Sequence, residues 1–214
     1  MNENKQNELV TSVLTQVSLR GIRKATLRHI AKGAGVTIPA LYNYYSSKTD
    51  ALRCAVDHAS KLYFSDLMRL NNEKRLTGPE VLMQLVRIRY HFLRLNLWWD
   101  YTHPWLSAEM DETLIDLFSK IQKTEQETIL KIMQNKHLLT TDERLSPAKL
   151  VNLFIWNLDR IACRLAPKKE EMLLNKLTSF AVDFFTPAKR GNTLTRHCFN
   201  SASPVNAKVL KGAQ

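Results

Sequence analysis

The segment from residue 21 to residue 52 limits the possible folds of this chain more than any other stretch. It reads GIRKATLRHIAKGAGVTIPALYNYYSSKTDAL and contains two short helical patterns separated by Gly35, followed by a tyrosine-rich sequence. A short helix, a tight turn and a second short helix are the layout of a helix-turn-helix, whose second helix enters the DNA major groove. The segment therefore predicts a compact DNA-binding head.

Hydroxyl side chains mark the predicted helix starts in this segment. Thr26 and Thr37 precede the two motif helices as N-caps, and Ser47 with Asp50 forms a capping box for the next helix. Gly35 lies where the chain leaves the first motif helix, a position that favours a positive φ. An earlier supporting helix that ends near residue 21 is predicted by one apolar stripe, formed by Leu9, Val10, Val13, Leu14 and Val17.

Lys48 is the residue least expected from local preferences. A cation in the first turn of a helix opposes the helix dipole. A phosphate group beside the free helix amides would reverse that penalty, so a DNA contact would account for the lysine. A solvated surface lysine is the alternative, but Tyr42 and Tyr44 nearby favour the phosphate contact.

This motif resembles the N-terminal domain of the TetR family of bacterial transcriptional regulators. The resemblance rests on Ala25-Thr26, Ile30-Ala31, the run from Ala34 to Thr37, the run from Leu41 to Tyr45, and Ser47-Lys48. It implies a homodimer that binds a palindromic operator. It also implies two sets of DNA contacts: phosphates at Thr26, Tyr42, Tyr44 and Lys48, and bases at Thr37, Ile38, Pro39 and Ala40.

Two positions depart from the pattern of that family. Many members carry a glycine where this chain has Pro39-Ala40, which leaves the base preferences open. Tyr45 stands where phenylalanine is common. Gly33 inside the first motif helix is a further oddity, because glycine costs about 1 kcal/mol there relative to alanine.

Composition agrees with a polyanionic partner. The 214 residues carry a formal net charge of +11, although charge alone does not separate DNA from RNA or a membrane surface. Three widely spaced cysteines without a CxxC pair indicate neither a zinc site nor a disulfide framework. The polar N-terminus and the lack of a long apolar run predict a soluble, cytoplasmic protein.

The sequence contains no recognisable catalytic motif. Its six histidines are scattered without HExxH spacing, and there is no Walker loop, GxGxxG or GxSxG. Asp100 and His103 are close in sequence but too few to hold a metal ion. We therefore expect no enzyme, no cofactor and no metal site.

Helical patterns continue after the head and predict an all-α protein. We divide the chain into a three-helix helix-turn-helix domain at 1–48, a helical effector-binding and dimerisation domain at 49–186, and a basic, disordered tail at 187–214. The two last helices have more apolar surface than one core requires, which predicts an isologous dimer interface. The resemblance to TetR-like proteins implies the same interface.

A cluster of tryptophans around Pro104 is either part of the core or the wall of a ligand cavity. Basic side chains on the preceding helix could meet an anionic ligand group, or they could form a solvated face. The predicted ligand-binding residues are Arg87, Tyr90, His91, Arg94, Trp98, Trp99, Tyr101, Trp105 and Phe154.

These features together predict a ligand-responsive transcriptional regulator. The expected form is a repressor released from a palindromic operator by a lipophilic effector. The body resembles TetR-like regulators of fatty-acid and steroid breakdown, which makes an acyl-CoA one candidate effector. A transcriptional activator, a DNA-binding protein without a small-molecule effector and a helical enzyme with an unrecognised site stay open as alternatives.

Overall fold

The computed structural model describes residues 3–93, 112–139, 146–164 and 170–185, and every regular element in these ranges is a helix. The predicted all-α class is confirmed. None of the described helices combines the length and the apolar character that crossing a membrane requires. The helices are α1 (Glu3–Lys24), α2 (Leu27–Gly33), α3 (Ile38–Tyr42), α4 (Lys48–Asn72), α5 (Gly78–Leu93), α6 (Glu112–Asn135), α7 (Pro147–Arg164) and α8 (Glu170–Phe185).

Helices α1, α2 and α3 form the head, with α1 packed against α2 and α2 against α3. The supporting helix α1 is interrupted at Gly21, as expected: this residue has a non-helical backbone with φ 79° and ψ 158°, and a further helical segment follows to Lys24. Only glycine adopts such a backbone conformation without strain. The apolar stripe predicted for α1 meets the motif helices in a core that contains Leu9, Val13, Val17, Ile30 and Leu41.

Helix α4 connects the head to the body. It packs against α1 in the head and against α5 and α6 in the body. At its C-terminal end, the amide groups of Asn71 and Asn135 are hydrogen-bonded at 3.0 Å, and the Lys136 ammonium donates to the Glu73 carbonyl. The end of α4 is therefore fastened to the end of α6.

The body is a layered set of helices around one apolar core. Helix α5 packs against α4 and α8, α6 packs against α7, and α7 packs against α8. Phe154 of α7 is the centre of an aromatic cluster on α8, with ring centroids 6.3 Å from Phe180, 5.7 Å from Phe184 and 4.9 Å from Phe185. Aromatic pairs in this distance range add to the energy of simple burial.

Close packing in the head explains Gly33, which local preferences do not. A Cβ atom at this position would lie 2.5 Å from the Ser12 hydroxyl oxygen of α1. That hydroxyl donates to the Ile30 carbonyl at 2.8 Å and so ties α1 to α2. Gly33 lets the two helices approach closely enough for this bond to form.

We expect Gly33→Ala to lower the free energy of unfolding by about 1 kcal/mol, because the added methyl group displaces Ser12. Urea denaturation measures the change. Ser12→Ala provides the matched background, since it removes the oxygen that the methyl group would meet. In that background Gly33→Ala should be neutral or stabilising, as helix propensity alone predicts. An equal loss in both backgrounds would contradict the steric explanation.

Candidate nucleic-acid interface and buried polar cluster

The turn between α2 and α3 has the geometry of a helix-turn-helix. Gly35 adopts φ +62°, and a Cβ atom there would meet nothing within 4 Å, so the backbone conformation rather than space favours glycine. The Val36 amide donates to the Ala31 carbonyl at 2.9 Å and the Gly35 amide to the Lys32 carbonyl at 3.3 Å. These bonds close the end of α2 and set the direction in which α3 begins.

All three predicted N-caps are confirmed. The hydroxyl oxygen of Thr26 accepts from the His29 amide at 3.3 Å, that of Thr37 from the Ala40 amide at 3.2 Å, and that of Ser47 from the Asp50 amide at 3.0 Å.

The return half of the predicted capping box is displaced by one residue. The Asp50 carboxylate accepts from the amide and the hydroxyl of Ser46, at 3.0 and 3.2 Å, instead of from Ser47. The Ser46 amide is the main reason that the pKa of the Asp50 carboxyl is lowered, and the bond from the Arg53 guanidinium lowers it further. An ionised Asp50 therefore stabilises the start of α4.

The short helix α3 presents a mixed surface. Thr37 and Pro39 are exposed, whereas Ile38 is partly buried and packs against the core. Tyr42 at the end of α3 keeps 54 % of its surface exposed, and Tyr44 after it is partly buried against the core. The exposed members of the predicted DNA-contacting set are the ones available to a duplex.

Lys48 has partners within the protein. Its ammonium donates to the Ile22 carbonyl at 2.5 Å and to the Arg23 carbonyl at 3.3 Å, and both carbonyls lie at the C-terminal end of α1. The ammonium is therefore unfavourable beside the N-terminus of α4 but favourable beside the C-terminus of α1. Partial burial lowers the pKa of this ammonium. An ammonium has three donors, so one remains for a phosphate oxygen.

Tyr45 is a core residue of the head. The residue is 2 % exposed, and its hydroxyl has no hydrogen-bond partner within the described part of the chain. Burial raises the pKa of this phenol to about 12, and the charges of Cys54 and Asp50 add to the rise. A phenylalanine at this position would lose no hydrogen bond, which accounts for the exchange between the two residue types.

An open groove of about 590 Å³ lies between α1 and the end of α2. Most of its lining side chains are polar, and no aromatic or large aliphatic side chain is among them, which does not suit a lipophilic effector. The groove is lined by Asn4, Asn7, Glu8, Thr11, Ser12, Thr15, Gln16, Gly33 and Ala34.

A second functional candidate lies inside the body, where four helices contribute polar side chains to one buried polar cluster. Its members are Tyr63 of α4, Arg89 of α5, Glu125 of α6 and Asp159 of α7, with exposed fractions of 3, 1, 0 and 9 %. Buried charges require partners, because removing them from water is expensive. The contacts between these side chains provide those partners.

Arg89 is the centre of the buried polar cluster. Its Nε donates to Asp159 Oδ1 at 3.0 Å and its Nη2 to Asp159 Oδ2 at 2.8 Å, a bidentate pair. Its Nη1 contacts Glu125 Oε1, which also accepts a hydrogen bond from the Tyr63 hydroxyl. Phe92 stacks on the Tyr63 ring at 4.4 Å between centroids. Burial raises the pKa of the Tyr63 phenol, which keeps it protonated as a donor.

The sequence analysis did not identify this cluster, although a signal for Arg89 was present. Arg89 follows Leu85 by four residues and precedes Phe92 by three, so it lies on the apolar stripe of α5. A charged residue on such a stripe is buried only with a partner. Which partner it has depends on the packing of α6 and α7.

The predicted ligand-binding residues differ in their burial. Tyr90 and Phe154 are buried, whereas Arg87 and His91 are exposed on the outer face of α5. A solvated face therefore describes the two basic residues, as the alternative reading expected. The other five members, Arg94, Trp98, Trp99, Tyr101 and Trp105, lie outside the described residues.

Comparison with known proteins identifies the head. Residues 14–53 match the family model for bacterial regulatory proteins of the tetR family. This range covers the second half of α1, the whole helix-turn-helix and the start of α4. No curated protein sequence matches the chain.

Solved structures with the same fold cover most of this chain. A tetR-family transcriptional regulator from Streptomyces coelicolor is 18 % identical, with a TM-score of 0.66 over 92 % of this chain and 84 % of that one. The fatty acid degradation regulator FadR from Bacillus halodurans is also 18 % identical, with a TM-score of 0.66 over 86 % and 96 %. The transcriptional regulator FadR from Bacillus subtilis, solved in complex with stearoyl-CoA, is 15 % identical, with a TM-score of 0.66 over 85 % and 97 %.

We expect Arg89→Met to lower the free energy of unfolding by about 3–5 kcal/mol, because it leaves two buried carboxylates without their counter-charge. Arg87→Met is the matched control on the exposed face of the same helix and should change stability by less than about 0.5 kcal/mol. Chemical denaturation of both variants measures the difference. Equal effects would show that the Arg89 charge is not needed in the core.

Proposed function

We propose that this chain, which carries a TetR-family DNA-binding domain and shares the fold of TetR-family transcriptional regulators, is a ligand-responsive repressor released from a palindromic operator by a lipophilic effector. The observation that carries the proposal is the head itself. A positive-φ glycine turn joins two Thr-capped helices, and the second leaves Thr37, Pro39 and Tyr42 exposed. Such a surface suits the major groove.

Phosphate contacts would hold the head in register on the duplex. The Tyr42 hydroxyl is exposed, and Lys48 retains one donor beyond the two carbonyls that it binds. Because Lys48 is anchored to α1, a phosphate would meet an ordered ammonium and not a mobile one. Exposed basic residues on α1 and α2 add a sequence-independent attraction, and they are Arg20, Arg23, Lys24, Arg28 and Lys32.

A two-fold dimer would present two heads to one operator. TetR regulators bind DNA as dimers, and two large apolar side chains support an interface on α7 and α8. Trp156 of α7 is 48 % exposed and Met172 of α8 is 45 % exposed. Exposed apolar groups on adjacent helices suit an isologous interface. The spacing of the two heads must then match successive major grooves.

The effector would act through α4, which packs against both the head and the body. A ligand shifts the equilibrium between two conformations only by its differential affinity for them. Release therefore requires an effector that binds more tightly to the body when the head spacing is wrong for DNA. Because the C-terminal end of α4 is hydrogen-bonded to the end of α6, a shift of α4 would move its N-terminal end together with the head.

An acyl-CoA is the first effector to test. FadR from Bacillus subtilis was solved in complex with stearoyl-CoA, and that protein shares the fold. The exposed Arg87 and His91 would suit an anionic nucleotide at the surface while an apolar chain enters the core. A lipophilic compound without a nucleotide is the alternative effector.

Selection from a pool of random duplexes tests the DNA-binding function. We expect one palindromic sequence, bound by a dimer, to be enriched. Tyr42→Ala should weaken binding to it about tenfold, and Lys48→Met should reduce the slope of log affinity against log salt by about 1, because one phosphate contact is lost. Fluorescence anisotropy over a range of salt concentrations measures both effects.

Lys61→Met is the control for charge removal, since Lys61 lies 73 % exposed on the same helix α4. This site is thirteen residues from Lys48, roughly 20 Å along the helix axis. The variant should leave the salt slope unchanged. Uniform, purely salt-dependent binding without an enriched site would contradict a sequence-specific regulator.

The enriched duplex then tests the effector. We expect stearoyl-CoA to weaken operator binding at least about tenfold, which corresponds to a coupling of roughly 1.4 kcal/mol. Free coenzyme A is the control, because it lacks the apolar chain. If a lipophilic compound of another class causes release and no acyl-CoA does, the acyl-CoA is not the effector, but the proposed regulatory function stands. Failure of every lipophilic compound would favour a DNA-binding protein without an effector.

A further inference from the structure

One carboxylate oxygen of the buried polar cluster is left without a partner. Glu125 is 0 % exposed, and its Oε1 is engaged by both Tyr63 and Arg89. Its Oε2 is buried and has no hydrogen-bond partner among the residues that the structure describes. An unsatisfied buried acceptor is strongly unfavourable, and more so when it carries charge. Such an atom in a native core requires an explanation.

The charge of the buried polar cluster determines which partner the oxygen can accept. Among its described members the cluster has one guanidinium, that of Arg89, against the two carboxyl groups of Glu125 and Asp159. Tyr63 stays neutral because burial raises its pKa. Both ends of the Arg89 guanidinium are already committed to carboxylates. A cation or a neutral donor is therefore attracted to this oxygen, and an anion is repelled.

Apolar side chains also lie near Glu125, beside its polar partners Tyr63 and Arg89. Ile121 and Ile129 lie one helical turn before and after Glu125, on the same face of α6, and both are buried. Phe92 stacks on Tyr63 beside the carboxylate. An apolar surrounding with one precisely placed polar group is the usual composition of a small-molecule site.

We propose that Glu125 Oε2 is the polar anchor of the effector site. It accepts a hydrogen bond from an ammonium, hydroxyl or amide N–H group on a ligand whose remaining body is apolar. The inference rests on the proposed function and favours its alternative effector, a lipophilic compound without a nucleotide. Oε1 of the same carboxylate accepts a hydrogen bond from Tyr63 of α4. A ligand bound to Oε2 would therefore share the Glu125 carboxylate with α4, the helix that packs against the head.

Four ligands of equal chain length test the anchor on the full-length protein without DNA. They are decylammonium, 1-decanol, methyl decanoate and decanoate, with titration calorimetry as the readout. The first two offer a donor, the ester offers acceptors only, and decanoate is anionic. We expect decylammonium and decanol to bind at least about tenfold more tightly than the ester, and decanoate to bind most weakly.

Glu125→Gln preserves the shape of the side chain but adds donor hydrogens to it. The advantage of the donor ligands over the ester should fall to about twofold or less. Glu127→Gln is the matched control, because Glu127 is exposed on the same helix and should leave the preference unchanged. Tyr63→Phe is a second variant in case Glu125→Gln does not fold. It removes one of the two partners of Oε1, leaves Arg89 in contact with that oxygen, and retains the ring that stacks on Phe92, so the donor preference should persist.

Three results would overturn the anchor: equal binding of donor and ester ligands by the unaltered protein, a donor preference that survives in Glu125→Gln, or no binding of any of the four. Each would mean that Oε2 has only a structural partner such as water. These outcomes are separate from the regulator proposal. Selective operator binding with release by stearoyl-CoA, but without a donor preference, would contradict only the proposed role of Glu125. A donor preference in a protein that selects no operator would retain the anchor and contradict the regulator.

Discussion

The guanidinium of Arg89 connects α5 to α6 and α7 in the centre of the body. It is 1 % exposed and bonded to carboxylates on α6 and α7, and one of those carboxylates also binds Tyr63 of α4. A buried ion pair recovers its desolvation penalty only when the geometry is good on both sides. The relative positions of α4, α5, α6 and α7 are therefore restricted by one side chain, and the apolar packing around it has to agree with that arrangement.

Helix α4 is fixed at three points along its length. Lys48 binds the end of α1, Tyr63 binds Glu125 in the middle of the body, and the residues around Asn71 bind the end of α6. These contacts connect one helix to both the head and the body. The central contact is the one that involves a buried carboxylate with an unpartnered oxygen.

Most of the head could be predicted from the sequence because its determinants are local. An N-cap hydroxyl binds an amide three residues later, and a positive-φ glycine terminates its own helix, so Thr26, Thr37, Ser47 and Gly35 carry their information within one turn. The apolar stripes likewise predicted the helices of the body. The interruption of α1 at Gly21 was predicted for the same reason, but the helical segment that continues to Lys24 was not.

The sequence by itself determined the all-helical class, the helix-turn-helix and the residues that begin its helices, since these depend on neighbours only a few positions apart. Tertiary structure decided the roles of residues whose partners are distant. Lys48 binds carbonyls 26 and 25 residues away, and Gly33 is small because Ser12 of another helix lies against it. Arg89 finds Asp159 at a separation of 70 residues. Such pairs form only when the helices pack, because local sequence preferences do not specify which distant side chain a buried charged group will contact.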